Sequence, residues 1–124
     1  MARELTPLTL PSWISRWDVK AQKAELTGHT SIVVEAYEVS TFFAITKPLP
    51  DSLNTFKNMI THLATGMTAH GFDKVADARK CVSQFESSER MLVGYDNWNY
   101  IDTPSKLMLQ RDWMRDVIVG IKNE

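Results

Sequence analysis

Apolar side chains recur along much of this chain at the spacing of an α-helix. The strongest example lies between about Asp51 and His70, where apolar positions are three or four residues apart. They are Leu53, Phe56, Ile60, Leu63 and Met67. Such spacing places side chains on one face of a helix. Pro50 before the segment and Gly71 after it are typical of helix ends, so a helix is predicted here.

A helix is also predicted near the start of the chain, from about Pro11 to Leu26. Pro11 suits the first turn of a helix, and Gly28 suits its end. The apolar stripe of this segment consists of Trp13, Trp17, Ala21 and Ala24.

Two more helices are predicted in the second half of the chain. One covers about Asp73 to Glu86, with Asp73 as its N-cap. Its apolar face consists of Val75, Ala78, Val82 and Phe85. The other begins at Thr103-Pro104, a capping residue followed by proline at the first helical position, and runs close to the C-terminus. Its inward positions are Leu107, Met114, Val117, Ile118 and Ile121.

The segment from Thr30 to Lys47 carries conflicting signals. Its side chains are mostly β-branched or aromatic, which favours a strand. However, no Gly, Asn, Asp or Pro lies between residues 31 and 46 to form a hairpin turn. Glu35 and Glu38 would also share one polar face on a helix but not on a strand. We therefore favour a buried helix, with strand as the alternative.

The elements together predict a mainly α protein, a compact bundle of four to five helices in a single domain spanning residues 1–124. Residues 95–100 contain turn-forming Asp and Asn and are predicted as a connecting loop. The alternative fold is an α+β domain with strands within residues 31–47 and 90–95.

Charge does not favour a nucleic-acid partner. The chain has 124 residues with 14 basic and 15 acidic side chains, a net charge of −1. Proteins that neutralise several phosphates usually carry a basic face. Here the signs alternate, as in Arg111, Asp112, Arg115 and Asp116. A module that binds nucleic acid through Arg111, Arg115 and Lys122 is therefore the least favoured hypothesis.

Hydropathy and cysteine content indicate a cytoplasmic protein without a membrane partner. The longest uninterrupted apolar run is Phe42 to Ile45, far shorter than a membrane span. Residues 1–18 lack the continuous apolar stretch of a signal peptide. Cys81 is the only cysteine and so has no intramolecular disulfide partner.

The chain carries no motif of a common catalytic or cofactor site. It has no glycine-rich phosphate loop, no G-x-S-x-G and no H-E-x-x-H, and a single cysteine excludes zinc sites built from paired cysteines. His62 and His70 would lie about 12 Å apart along one helix, too far to share a metal. We interpret them as surface or helix-end residues. No catalytic residue, metal ligand or cofactor is therefore assigned.

Aromatic side chains are the strongest candidates for binding. Tyr95, Asn97, Trp98 and Tyr100 fall within six residues of a predicted loop, and Tyr and Trp are enriched at binding hot spots. The structural alternative is that Trp98 fills the core while its indole N–H finds a carbonyl group. Trp13 and Trp17 form a second candidate surface, with core packing again as the alternative.

These observations favour a small non-enzymatic accessory or regulatory protein that acts through protein–protein contacts, with a homodimer as one form. A small-molecule binding domain, or an enzyme with an unrecognised site, is the alternative. Its pocket would lie between helices and be lined by Tyr95, Trp98 and a histidine.

Overall fold

The computed structural model of the chain describes residues 5–18, 20, 22–48, 57–87 and 92–124. Five strands occur in the first part of the described chain: β1 Thr6–Asp18, β2 Lys23–Val39, β3 Phe43–Thr46, β4 Asn58–His62 and β5 Thr68–Phe72. Three helices and a short 3₁₀ turn follow: α1 Val75–Glu86, the 3₁₀ turn Trp98–Tyr100, α2 Pro104–Met108 and α3 Arg111–Lys122.

The strands form one antiparallel sheet in which each pairs with the next along the chain. β1 and β2 are much longer than the others and make a two-stranded ribbon. Its pairing runs from Thr6 opposite Ala36 to Asp18 opposite Lys23. The register shifts after Ile14, which lies opposite Gly28. Gly28 has φ of +147°, a conformation that L side chains rarely adopt, so it is suited to this irregularity.

Apolar side chains alternate along the ribbon, as a strand with one buried face requires. Leu10 and Ala36 are buried, whereas Val33 and Glu35 are exposed. The paired residues Leu8 and Val34 are half-buried and belong to the same inner face. This two-residue period sets the register of the ribbon.

The short strands β3 and β4 are buried on both faces. On one face, Phe43, Ile45 and Ile60 join the main hydrophobic core with residues of α1 and α3. α1 packs on β3, β4 and β5, and also on α3. On the other face, the hydroxyl groups of Thr46 and Thr61 hydrogen bond to each other across 2.9 Å. A strand buried on both faces loses the apolar alternation that identifies it in a sequence.

The predicted helical bundle is wrong, because the described residues contain a five-stranded sheet. The helix expected from Pro11 to Leu26 is wrong, because these residues include the end of β1 and the start of β2. Pro11 lies inside edge strand β1, a position that tolerates proline when its nitrogen faces away from the neighbouring strand. Gly28 marks a register shift rather than a helix end.

The helix expected over residues 51–70 is also wrong where the structure describes it. β4 and β5 occupy most of residues 58–70 and are joined by a turn, in which Gly66 has φ of +70°. Its periodic apolar residues Ile60 and Met67 therefore lie on different sides of this turn. Residues 51–56, including Leu53 and Phe56, fall outside the described part of the chain.

The helix expected over Thr30–Lys47 is wrong because a distant side chain supplies the missing turn signal. The backbone turns at Ser40–Phe42 between β2 and β3. The Glu86 carboxylate accepts hydrogen bonds from the backbone N–H groups of Phe42 and Phe43, at 2.7 and 3.0 Å. The hydroxyl of Ser40 also donates to Glu86. Strand propensity, rather than helical period, therefore identified the structure correctly.

The two later helices were predicted more accurately. α1 matches the expected Asp73–Glu86 helix, although Lys74 rather than Asp73 is its N-cap. α2 begins as predicted, with Pro104 at its start and the Thr103 hydroxyl accepting a hydrogen bond from the Lys106 backbone N–H. The expected single helix is broken, since Leu109 and Gln110 separate α2 from α3.

The alternative α+β prediction is closer to the structure. β3 and the end of β2 lie within residues 31–47. The second predicted strand is wrong where it can be compared, because residues 92–95 contain turns and no strand.

Candidate functional site

A groove of about 580 Å³ opens between the α2–α3 segment and the start of β5. We call it the cationic groove. Its lining residues are Met67, Thr68, Leu107, Met108, Arg111, Met114, Arg115, Ile118, Val119 and Lys122. Its volume is typical of ligand-sized clefts in proteins.

The buried side chain of Gln110 positions the two helices that border the cationic groove. Its amide oxygen accepts hydrogen bonds from the Val93 backbone N–H at 2.7 Å and from the Trp113 indole N–H at 3.2 Å. Its amide nitrogen donates to the carbonyl groups of Val93 and Lys106, at 3.0 and 3.2 Å. Both polar atoms are thus satisfied without solvent. The hydrogen bonds of Gln110 therefore fix the backbone at the break between α2 and α3.

The floor of the cationic groove is apolar and continuous with the core. Met114 and Ile118 line the groove and also belong to the main hydrophobic cluster. Met108 and Val119 line it from the exposed side, with exposed fractions of 47% and 48%. Met67 completes the floor. Flexible methionine side chains let one apolar surface adapt to different partners.

The charged residues that line the cationic groove all carry positive charge. They are Arg111, Arg115 and Lys122, and no carboxylate is among the lining residues that the structure describes. Asp112 bonds to Arg115 at 3.1 Å and lies 3.7 Å from Arg111, but its own side chain is 86% exposed. Such exposed pairs are weak and exchange readily with solvent. Basic and acidic residues alternate along the sequence of α3, but the described charged residues that line the groove are all basic.

Lys122 closes the far end of the cationic groove. Its ammonium group lies 5.3 Å from the centre of the Phe72 ring, within the range of a cation–π contact. This contact connects the last turn of α3 to the end of β5.

A buried histidine supports the β4–β5 turn next to Met67. His62 Nδ1 lies 2.9 Å from the Thr65 hydroxyl, which also accepts a hydrogen bond from the Met67 backbone N–H at 3.3 Å. The His62 ring packs against Phe43 and Trp98, with ring centres 5.1 and 5.6 Å away. Burial lowers the pKa of His62 to about 4, so the ring is neutral at physiological pH. The prediction of a surface or helix-end histidine at this position is wrong.

Gly66 in the same turn lies directly against the ribbon. A Cβ atom added there would stand 2.0 Å from the Pro11 carbonyl oxygen, closer than any real contact. The positive φ of Gly66 also disfavours a side chain. This turn therefore joins the ribbon to the groove.

A second cavity, of about 450 Å³, lies between the β2–β3 turn and α1. We call it the turn cavity. Its charged lining residues are Glu38, Arg79 and Glu86. Glu38 and Arg79 form an ion pair, which raises the pKa of Arg79, and Glu86 accepts the backbone hydrogen bonds described above. These charges already have partners within the chain.

The residues proposed from sequence as an aromatic binding loop differ in how deeply their side chains are buried. Trp98 is buried, and its indole N–H donates to the Phe85 carbonyl at 2.9 Å. Tyr95 is half-buried beneath the ammonium group of Lys106. Tyr100 is 54% exposed, and the exposed Asn97 accepts a hydrogen bond from the Asn99 backbone N–H. Their binding role stays a prediction.

The second aromatic surface, Trp13 and Trp17, falls in the ribbon. The backbones of these residues pair with His29 and Ala24 in β2. Their side chains lie outside the described part of the structure.

Sequence reasoning missed Met67, Met108 and Val119 as residues of a site. Met67 was assigned to a helix that does not exist, and the other two lay outside the predicted inward stripe. The available signal was the extra apolar residue Val119 beside the stripe, which a fully solvated face would not need.

Two other features of the described residues concern thiol chemistry and metal binding. Cys81 is completely buried, and burial raises the pKa of its thiol to about 12. Among these same residues, no group of three or more histidine, cysteine or carboxylate side chains could hold a metal ion. None of the described helices is long and apolar enough to cross a bilayer. Comparisons of the chain with protein-family models, with curated proteins and with solved structures found no match.

Proposed function

We propose that this chain is a non-enzymatic protein-interaction module whose docking surface is the cationic groove. The partner places an apolar, acidic polypeptide segment in the groove. The observation that carries this proposal is the combination of an apolar floor with three cationic residues, in a lining whose described residues include no carboxylate.

The exposed apolar side chains support this function because exposure of such groups to water is unfavourable. Met108 and Val119 lie at the groove with about half of their surface in solvent. A partner that covers them gains hydrophobic stabilisation, and the cationic side chains select partners of negative charge.

A groove-dependent peptide selection tests the proposal. Random peptides displayed on phage are selected against the wild-type protein and then assayed against Val119→Glu. Val119 is exposed, so we expect the free energy of unfolding to change by less than about 0.5 kcal/mol. The selected peptides are expected to bind Val119→Glu at least tenfold more weakly, which fluorescence anisotropy measures.

The matched control is Val33→Glu, since Val33 is 61% exposed and lies on the outer face of the ribbon. This variant should bind the selected peptides as the wild type does. Failure to enrich any peptide, or equal binding to both Val119→Glu and wild type, would contradict the proposal. Stabilisation by a fatty acid without peptide binding would favour the small-molecule alternative.

The homodimer expected from sequence is one version of this proposal, in which a second copy supplies the partner segment. A concentration-dependent mass in analytical ultracentrifugation that is abolished by Val119→Glu would identify this version. A cytoplasmic location also stays part of the proposal, supported by the single buried cysteine.

A further inference from the structure

We infer that the segment recognised by the cationic groove is an amphipathic helix of about three turns with acidic residues flanking its apolar stripe. This inference rests on the proposed function and specifies the partner chemistry. Length, backbone hydrogen bonding and charge each point to it separately.

The length of the groove follows one face of α3. Its lining residues on α3 begin at Arg111 and end at Lys122, with Met114, Arg115, Ile118 and Val119 between them. Eleven residue steps along a helix span about 16 Å, so a second helix of three turns would lie alongside. Such a partner would present apolar residues at every third or fourth position.

The lining chemistry favours a helix over an extended strand. An extended segment brings unpaired backbone N–H and C=O groups into the groove, and each needs a hydrogen-bond partner. Among the lining side chains that the structure describes, Thr68 has the only oxygen that could accept hydrogen bonds from backbone N–H groups. A helix satisfies its central backbone groups internally and presents mainly side chains to the apolar floor. The groove is therefore suited to a helix.

The positions of the cations favour acidic residues near both ends of the partner segment. Arg111 and Arg115 are one turn apart near the start of α3, and Lys122 lies in its last turn. Acidic residues on the partner must therefore flank both ends of its apolar stripe. Asp112 competes for the arginines only through exposed contacts, which a carboxylate in the groove can replace.

The test uses a designed peptide of about 16 residues, roughly four helical turns, with leucines at helical spacing and glutamates beside them. A matched peptide replaces each glutamate with lysine, and a third scrambles the leucine positions. Fluorescence anisotropy should show that the glutamate peptide binds at least about tenfold more tightly than either control. The advantage over the lysine peptide should shrink as salt is added.

Charge reversal in the protein provides the decisive variant. Arg111→Glu combined with Arg115→Glu is expected to reverse the preference, so that the lysine peptide binds more tightly. The control Lys57→Glu combined with Lys74→Glu makes the same change in net charge at two exposed residues outside the groove. This control should keep the preference for the glutamate peptide.

Equal binding of the glutamate and lysine peptides would overturn the inference, as would a preference that Lys57→Glu with Lys74→Glu also reverses. The designed peptides could fail to bind while peptides selected by phage display still lose affinity in Val119→Glu. That result would support the proposed interaction function and contradict the inference of a helical, acidic partner. If neither kind of peptide binds but labelled DNA does so in a groove-dependent manner, both are wrong.

Discussion

The turn cavity and the cationic groove are similar in volume, about 450 and 580 Å³, but their charges are used differently. In the turn cavity, Glu38 binds Arg79, and Glu86 binds the backbone of the β2–β3 turn. In the cationic groove, the described lining charges have one sign and surround exposed apolar side chains. Volume alone therefore does not separate a structural cavity from a candidate binding surface.

The partners of charged groups are therefore more informative than the size of a cleft. Charges satisfied inside the chain hold elements together, and removing them should lower stability. The arginines of the cationic groove contact Asp112 only through exposed ion pairs, so removing them should leave stability nearly unchanged.

Gly66→Ala should have the largest effect, because it should disrupt the turn that borders the cationic groove. The new Cβ would meet the Pro11 carbonyl oxygen at 2.0 Å, and the residue must also keep a φ of +70°. We expect a loss of about 3 kcal/mol or more in the free energy of unfolding. Peptide binding should weaken too, because Met67 and Thr68 follow directly. Urea denaturation and anisotropy measure these effects.

Gly94→Ala is the matched control for Gly66→Ala. Gly94 has a similar φ of +77°, but nothing lies within 4 Å of an added Cβ. Only the backbone strain remains, so a loss of about 1 kcal/mol is expected. Equal losses for the two variants would show that the close approach of the ribbon at Gly66 is unimportant.

Acid should destabilise the protein through His62, which contacts both regions. Its ring packs on Phe43 of the turn cavity, and its partner Thr65 binds the backbone of Met67. Burial lowers the pKa of folded His62 from 6.5 to about 4, so the unfolded chain takes up the proton first. Stability is therefore complete above pH 6.5 and falls as the pH approaches 4. Between pH 7 and about pH 4.5 we expect a loss of roughly 2–3 kcal/mol.

His62→Phe removes this titration while keeping an aromatic ring in the site. Urea denaturation across the same pH range should show a clearly shallower slope for the variant than for the wild type. Parallel slopes would mean that other groups, rather than His62, cause the loss at low pH.

Glu86→Gln should destabilise the protein at the turn cavity and leave peptide binding in the cationic groove unchanged. The substitution weakens charge-assisted hydrogen bonds to the N–H groups of Phe42 and Phe43, so a loss of about 2 kcal/mol is expected. Glu38→Gln, which removes an exposed ion pair in the same cavity, should cost much less. Groove-selected peptides should bind both variants normally. Weakened binding would show that the two regions are coupled.

The sequence predicted those parts of the fold whose signals are local. α1 and the start of α2 carry their own caps and periodic faces, and both were found. The break between α2 and α3 could not be foreseen, because Gln110 reaches the backbone of Val93, 17 residues away. The prediction of β3 and β4 failed for a related reason. Both strands are buried on both faces and so show no alternation of apolar and polar residues.

The candidate site was predicted only in part. Arg111, Arg115 and Lys122 were recognised as a cationic set on one helix, although for a different partner. Met67 and Thr68 come from a distant part of the chain and join them only through the tertiary structure. The exposed Tyr100 and buried Trp98 show that neighbouring aromatics in a loop can have opposite environments.

Because the β2–β3 turn depends on Glu86, we expect this turn to form late during folding. The β1–β2 hairpin closes through neighbouring residues, so it can form early. The next turn needs a side chain 46 residues from Ser40, and its closure must wait until α1 has docked. Glu86→Gln should therefore accelerate unfolding more than it slows folding, and the step from ribbon to complete sheet should occur late in the folding pathway.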